Sequence, residues 1–93
     1  MRENKLSKGE KYEKYLKLSL RERVLNSKFT VPEIAKKIGK STPTLYRYIN
    51  PDLDTPVNII SVVDILNVLG IDQYDFFFDV DLKIEEDKNS VKS

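Results

Sequence analysis

The sequence predicts an all-α domain of five helices, and three observations support this fold class. Apolar residues recur at helical spacing through most of the 93 residues. Residues that can cap a helix, several of them followed closely by proline, precede the apolar runs, and glycine or Asn-Pro stands where runs end. A chain of this length buries about two thirds of the surface that its unfolded form exposes, so we expect one small domain with a single core.

The first helix is predicted between residues 8 and 26. Two capping-box sequences compete for its start, Ser7 with Glu10 and Ser19 with Glu22. The segment is therefore either one long helix or an arm that leads into a shorter one, and we expect the single helix. Its apolar face, which repeats every four positions, is formed by Tyr12, Leu16, Leu20 and Val24.

Two shorter helices joined by a glycine turn are predicted next. The start signals are a capping box at Thr30 and a hydroxyl cap at Ser41 or Thr42, each with proline in the first turn. The first of these helices ends before Gly39, which permits the positive φ of a turn. The second is predicted over residues 42–50 and ends at an Asn-Pro pair.

The fourth helix is predicted to begin at Thr55-Pro56 and to end at Gly70. The Val and Ile residues between these points would suit a strand, but polar residues at every third position favour a helix. Those polar residues are Asn58, Ser61, Asp64 and Asn67. Asp72 is then predicted to cap a short fifth helix that is rich in aromatic residues.

The residues after the fifth helix alternate between apolar and polar with a period of two. This pattern predicts a short strand over residues 79–85, outside the domain of residues 1–78, followed by a disordered polar tail to residue 93. A lone strand needs a partner, so antiparallel pairing with a second copy would form a homodimer. The alternative is that Phe78 closes the fifth helix and the following residues pack on their own domain or are disordered. The predicted dimer interface comprises Tyr74, Phe77, Phe78, Val80, Leu82 and Ile84.

The composition excludes several classes of function. The chain has no Cys and no His, so it offers no disulfide, thiol nucleophile or imidazole base, and none of the usual zinc ligands. We expect neither an enzyme nor a cofactor. The sequence also has no apolar run long enough to span a bilayer and no signal-peptide pattern, so we expect a cytoplasmic protein without a membrane partner. One acidic cluster lacks the spacing of a calcium loop, and no metal site is predicted from it: Asp72, Asp75, Asp79 and Asp81.

The net charge of +1 conceals a strong asymmetry. Residues 1–50 carry 13 Lys or Arg and 5 Asp or Glu, a net charge of +8, whereas residues 51–93 carry 3 and 10, a net charge of −7. A basic half of this kind indicates a polyanionic partner, with the acidic half turned to solvent or to another protein. The alternative is that solubility alone distributes the charge unevenly.

The second and third helices together span residues 31–50, which is the length of a helix-turn-helix motif. Ala35 is small where the two helices would cross, and Gly39 allows the turn. A pair of helices that serves only protein interaction would share these features, so both interpretations remain open from these residues alone. Four apolar residues stand where they would pack the helices together: Ile34, Ile38, Leu45 and Tyr48.

The segment TVPEIAKKIGKSTPTLYRYIN, residues 30–50, is followed by the apolar helix PVNIISVVDILNVLG and the aromatic helix IDQYDFFF. Over roughly residues 12–78 the chain resembles the five-helix DNA-binding fold of Cro and the phage repressors. The resemblance implies sequence-specific binding of double-stranded DNA, usually as a homodimer, with the third helix in the major groove. The chain departs from the family pattern at Val31, where many members carry Gln, and at Lys40, where an apolar residue is usual.

A helical rotation of 100° per residue assigns the DNA contacts of the third helix. Arg47 is predicted to bind guanine or a phosphate, and Pro43 and Thr44 suit thymine methyl groups. Asn50 either reads adenine or caps the helix, and Tyr46 is either a phosphate contact or a surface ring. The complete set predicted on this helix is Thr42, Pro43, Thr44, Tyr46, Arg47 and Asn50.

Four lysines flank the motif and are predicted to bind phosphates: Lys28, Lys36, Lys37 and Lys40. We therefore expect a DNA-binding transcriptional regulator that acts as a repressor and forms a homodimer. The resemblance leaves open a protein antirepressor as a further partner. The alternative function is a helical adaptor domain that binds protein and does not bind DNA.

Overall fold

The computed structural model describes residues 7–92, with side chains through residue 87, and residues 1–6 and 93 of the predicted domain and tail lie outside this range. The described residues form five helices and no strand, which confirms the all-α prediction. The helices are α1 (Lys8–Leu25), α2 (Val31–Lys37), α3 (Thr42–Tyr48), α4 (Ile59–Leu69) and α5 (Gln73–Lys92). None of the helices in this range is long and apolar enough to cross a membrane.

The first helix begins at the earlier of its two predicted starts. The Ser7 N–H donates to Glu10 Oε1 at 2.9 Å, and the Glu10 N–H donates to Ser7 Oγ at 3.1 Å, which completes a capping box. Ser19 instead lies inside α1, where its hydroxyl is buried and has no hydrogen-bond partner among the described residues. The alternative of a short helix beginning at Ser19 is therefore wrong.

The predicted caps of α2 and α3 are also present. The Thr30 N–H donates to Glu33 Oε1 at 2.8 Å, and Ser41 Oγ accepts the Thr44 N–H at 3.2 Å. At the end of α2, Gly39 has a φ of 73° and the Lys40 N–H bonds the carbonyl five residues earlier, at 2.9 Å. This pattern is a Schellman motif, and it turns the chain sharply into α3. α3 itself ends at Tyr48, two residues before the predicted limit of residue 50.

The fourth helix begins later than predicted. Asn58 caps it by accepting the Ile60 N–H at 2.6 Å, so the predicted start at Thr55-Pro56 is wrong. The residues before Asn58 are instead held to α1, where Lys17 Nζ donates to the carbonyl of Thr55 and Glu13 Oε2 accepts the Val57 N–H. Gly70, at a φ of 71°, ends α4 as predicted.

The prediction of a strand over residues 79–85 is wrong, because this segment belongs to α5. The alternating apolar residues form two sets, each spaced by four, on opposite sides of the helix. Val80 is fully buried and Ile84 packs against the core, whereas Phe78 and Leu82 are 63% and 44% exposed. The helix also bonds its own backbone groups, so no second strand is needed.

Two further predictions change with the strand. The predicted domain boundary at residue 78 falls inside α5, and residues 86–92 of the predicted tail continue the same helix. The strand-based dimer interface is wrong, because Val80 belongs to the core of its own chain. Phe77 and Ile84 also pack against that core, and the remaining three predicted interface residues are exposed: Tyr74, Phe78 and Leu82.

The core is formed by four contacts between pairs of helices. α1 packs along α5, α2 packs on α3, and α4 lies against both α1 and α2. The buried apolar side chains at the centre of these contacts are Leu16, Leu20, Val24, Val31, Ile34, Ala35, Leu45, Ile49, Val62, Ile65, Leu66, Phe76 and Val80. This core fixes α2 and α3 on one side of the molecule and leaves their outer surfaces exposed.

Candidate nucleic-acid interface

One side of α3 is buried in the core, and the opposite side is exposed to solvent. Leu45 and Ile49 are buried in the core, while Pro43, Tyr46 and Arg47 are exposed on the outer side of the helix. The predicted rotation of α3 is therefore confirmed. Thr42 and Thr44 are half-buried at the start of the helix.

Two of the predicted contact residues already make hydrogen bonds within the chain. Thr44 Oγ1 accepts from Ser41 Oγ at 2.8 Å, and Asn50 Oδ1 accepts the Asp52 N–H at 2.9 Å. The Asn50 bond forms a local turn after α3, and the residue at the C-cap of α3 is Ile49, so the alternative that Asn50 caps the helix is wrong. The side chains with donors directed outward are then mainly Arg47 and Tyr46.

Four exposed lysines lie on α2 and on the turns beside it: Lys28, Lys36, Lys37 and Lys40. α2 packs on α3, the helix that carries Arg47, and we refer to these four lysines and Arg47 together as the basic surface. Among the residues whose side chains are described, no carboxylate lies within 4.0 Å of any of these five cations. Their charge is therefore available to an anionic partner.

The acidic half of the chain does not simply face solvent. Three ion pairs join α1 to α5, at 3.4 Å for Lys11 with Asp87, 3.6 Å for Arg23 with Asp79 and 3.3 Å for Lys83 with Glu22. These pairs show that the two helices run antiparallel, and we refer to them together as the α1–α5 seam. Because the acidic helix lies against α1, the positive charge is concentrated on residues 26–50, which carry five Lys or Arg and one Glu.

A loop between α3 and α4 is fixed to α1 by two side chains that the sequence analysis missed. Lys17 is only 1% exposed, and its Nζ donates to the carbonyl of Leu53 at 2.8 Å and to that of Thr55. Glu13 Oε2 accepts the Val57 N–H at 3.0 Å. Lys17 is therefore buried, whereas Lys8 and Lys14 of the same helix are exposed. The sequence signal that could have identified the burial of Lys17 is its position beside Leu16, which belongs to the apolar face of α1.

Two more residues near α3 were missed. Arg21 of α1 is exposed and lines a shallow groove together with Tyr46, so it extends the basic surface beyond the predicted set. Two lysine ammonium groups lie over the ring of Phe29. Lys28 Nζ is 5.6 Å and Lys37 Nζ is 5.5 Å from the ring centroid. The position of Phe29 just before a helix cap is typical of a hydrophobic staple, which indicates packing but not this contact.

The α1–α5 seam shifts three pKa values upward. Burial and then Asp81 raise the pKa of Tyr12, and burial and then Asp87 raise that of Tyr15. Burial alone would lower the pKa of Lys83, but its bonds to Asp79 and Glu22 outweigh this and raise it. All three shifts concern the seam and not the basic surface.

We therefore expect the protein to lose stability at alkaline pH. Above the ordinary pKa values, 10.0 for Tyr and 10.5 for Lys, tyrosines ionise more readily in the unfolded chain and Lys83 loses its proton there first. In this pH range the folded chain binds more protons than the unfolded chain, so the free energy of unfolding falls as the pH rises. Urea midpoints measured from about pH 8 to about pH 11 should decline, and less so in the double variant Tyr12→Phe/Tyr15→Phe. A constant midpoint in the parent chain would contradict this account.

No group of three or more acidic side chains is placed to hold a metal ion in the part of the chain that the structure describes. The candidate site is therefore the basic surface of α2 and α3, whose cations have no carboxylate within 4.0 Å among the described side chains. This surface must be judged from its own residues, because comparison of the chain with protein-family models, curated proteins and solved structures found no match.

Proposed function

We propose that this protein is a sequence-specific transcriptional regulator that binds double-stranded DNA and acts as a repressor. In this proposal α2 and α3 form a helix-turn-helix of the phage-repressor type, and α3 enters the major groove. The observation that carries the proposal is that Arg47 is exposed on the outer side of α3, and that neither Arg47 nor the four lysines on and beside α2 have a carboxylate within 4.0 Å among the described side chains. A major groove about 12 Å wide admits a helix of this kind. A regulator of this type would act in the cytoplasm, with the DNA.

The residues of the surface divide into two roles. Arg47 has a planar guanidinium that can donate two parallel hydrogen bonds to guanine, so it is proposed to read sequence. Pro43 and the threonine methyl groups at the start of α3 would contact thymine methyl groups. The lysines would neutralise phosphates, which fixes the protein on the duplex without reading its sequence. They are Lys28, Lys36, Lys37 and Lys40.

A homodimer is part of this proposal, because a two-fold pair of recognition helices would match a palindromic site with half-sites roughly 34 Å apart. The exposed row on α5 supports it: Tyr74, Phe78 and Leu82 recur every four residues and are 78%, 63% and 44% exposed. Large apolar side chains grouped on one helical face commonly mark a protein contact. Asp75 and Asp81 lie near this row in sequence, so added salt should favour self-association by screening their repulsion.

The same row on α5 favours the second candidate function, a helical adaptor that binds protein and not DNA. Mobility of a mixed random duplex at low salt separates the two functions. Retardation at about 1 µM protein or below would support the regulator, and its complete absence would overturn it. Selection of bound sites from a random duplex library then tests specificity, since a palindrome reports the sequence and the half-site spacing together.

The phosphate role of α2 gives a prediction about salt. Replacing Lys36 with glutamine should weaken binding to all duplexes alike, because one fewer counterion is released. The slope of log K against log salt concentration should fall by about one unit, measured by fluorescence anisotropy. Lys8→Gln, an exposed lysine in the first turn of α1, is the matched control and should leave the slope unchanged. Equal slopes for the Lys36 variant and the parent would exclude the phosphate contact.

The α5 row gives a prediction about self-association. Phe78→Glu should weaken the dimer at least tenfold, because burying an additional carboxylate at an apolar contact is unfavourable. Sedimentation equilibrium measures the effect, and thermal unfolding checks that the fold persists. Leu25→Glu is the matched control, since Leu25 is 58% exposed on a different helix. A dimer of unchanged strength in the Phe78 variant would reject this face as the interface.

A further inference from the structure

The Phe29 ring contacts two lysines of the basic surface, Lys28 and Lys37. The ring is half-buried and packs against the core, so its position is fixed by the fold. Lys28 Nζ lies 5.6 Å and Lys37 Nζ 5.5 Å from its centroid, within the range of a cation–π interaction. Two long side chains therefore contact one ring that the fold holds in place.

Both ammonium groups lie within 5.6 Å of the centroid of one ring. Lys28 lies in the turn before α2 and Lys37 lies in its last turn, so without the ring their ammonium groups would be independent. Among the described side chains, no carboxylate lies within 4.0 Å of either ammonium. Like charges held near each other without a counter-charge raise the local positive potential, which favours binding of an anion.

We propose that Phe29 is a positioning residue that holds Lys28 and Lys37 together as a clamp on DNA backbone phosphates. This inference rests on the proposed function and adds a means by which the basic surface is ordered before DNA arrives. A lysine that is already placed loses less side-chain freedom on binding than one in free solution. The clamp would therefore increase the affinity for DNA of any sequence, and the residues of α3 would recognise the bases.

The neighbouring Lys36 supplies an internal comparison. It is exposed on the same helix, it is also proposed to bind phosphate, and it makes no ring contact in the described structure. A general loosening of the fold by a change at Phe29 would affect Lys36 and Lys37 alike. Loss of the clamp would affect Lys37 and spare Lys36.

The test is a double-mutant cycle on DNA affinity, measured by fluorescence anisotropy with a mixed random duplex. Phe29→Leu keeps an apolar side chain but removes the ring face, and we expect it to weaken binding about twofold to fivefold. Lys37→Gln should cost less in the Phe29→Leu background than in the parent, whereas Lys36→Gln should cost the same in both. Phe29→Tyr, which keeps the ring, should restore parent affinity.

Each outcome of this cycle is decisive. An equal cost of Lys37→Gln in both backgrounds, with DNA binding intact, would overturn the clamp and leave the proposed function standing. Failure of the parent chain to bind any duplex would overturn both. Thermal unfolding of the Phe29→Leu variant shows whether the core is retained, and the Lys36 comparison remains valid if stability is reduced.

Discussion

Replacing Lys17 with methionine is expected to lower the free energy of unfolding by roughly 2–4 kcal/mol. Methionine fills the space of the lysine stem, but it cannot donate to the carbonyls of Leu53 and Thr55. Hydrogen bonds from a charged donor contribute roughly 1.5–3 kcal/mol each, and this variant loses two of them. Part of this loss is offset because the variant no longer has to bury an ammonium group. The loop between α3 and α4 would then be held by Glu13 alone among these contacts.

Denaturant unfolding followed by circular dichroism measures this effect. Lys14→Met is the matched control, because Lys14 is exposed on the same helix and its replacement should change stability by no more than about 0.5 kcal/mol. Amide exchange should also accelerate at residues 53–57 in the Lys17 variant. Indistinguishable midpoints for the two variants would show that the buried ammonium does not stabilise the loop.

Replacing Arg47 with alanine is expected to abolish or relax sequence-specific DNA binding. If the guanidinium binds a guanine edge, the loss of affinity for the selected site should be about 1–3 kcal/mol, or roughly fivefold to 150-fold. Thermal stability should barely change, because Arg47 is exposed and has no ion pair among the described side chains. Binding curves with the selected site and with a scrambled duplex measure both quantities.

The variant Arg47→Lys distinguishes recognition of the base from the effect of the positive charge. Lysine keeps the positive charge but lacks the planar fork, so this variant should keep binding to scrambled DNA and lose preference for the selected site. Lys40→Ala is the control at the edge of the surface, expected to weaken binding to both duplexes equally. An Arg47→Ala protein with full affinity and full preference would show that Arg47 does not contact bases.

The helix ends were the most predictable features of the fold. Capping boxes at Ser7 and Thr30, and glycines at the ends of α2 and α4, involve neighbouring residues alone, so the sequence contains their signal, although Ser19 and Glu22 spell the same box inside α1. The start of α4 was missed. The segment before it bonds to Lys17, which is distant in sequence, through the carbonyl of Thr55.

The strand prediction failed because two periods coexist in one segment. Val80 and Ile84 are two and six residues after Phe78, so they fit alternation, but they are also four apart and fit a helix. Burial in the core decides between the two, and burial is a property of the assembled fold. In the same way, the exposed side of α3 followed from periodicity. The position of Phe29 beneath two lysines required α2 to be placed in three dimensions.

The α1–α5 seam has a consequence for the order of folding. α2 and α3 are neighbours in sequence, so their contact closes only a short loop, whereas α1 and α5 must meet from distant parts of the chain. Loop closure costs more entropy for the distant pair, so the helix pair α2–α3 is expected to form early and α5 to dock late. Contacts absent from the transition state govern the unfolding rate. The lifetime of the folded protein is therefore set at the seam, away from the surface proposed to bind DNA.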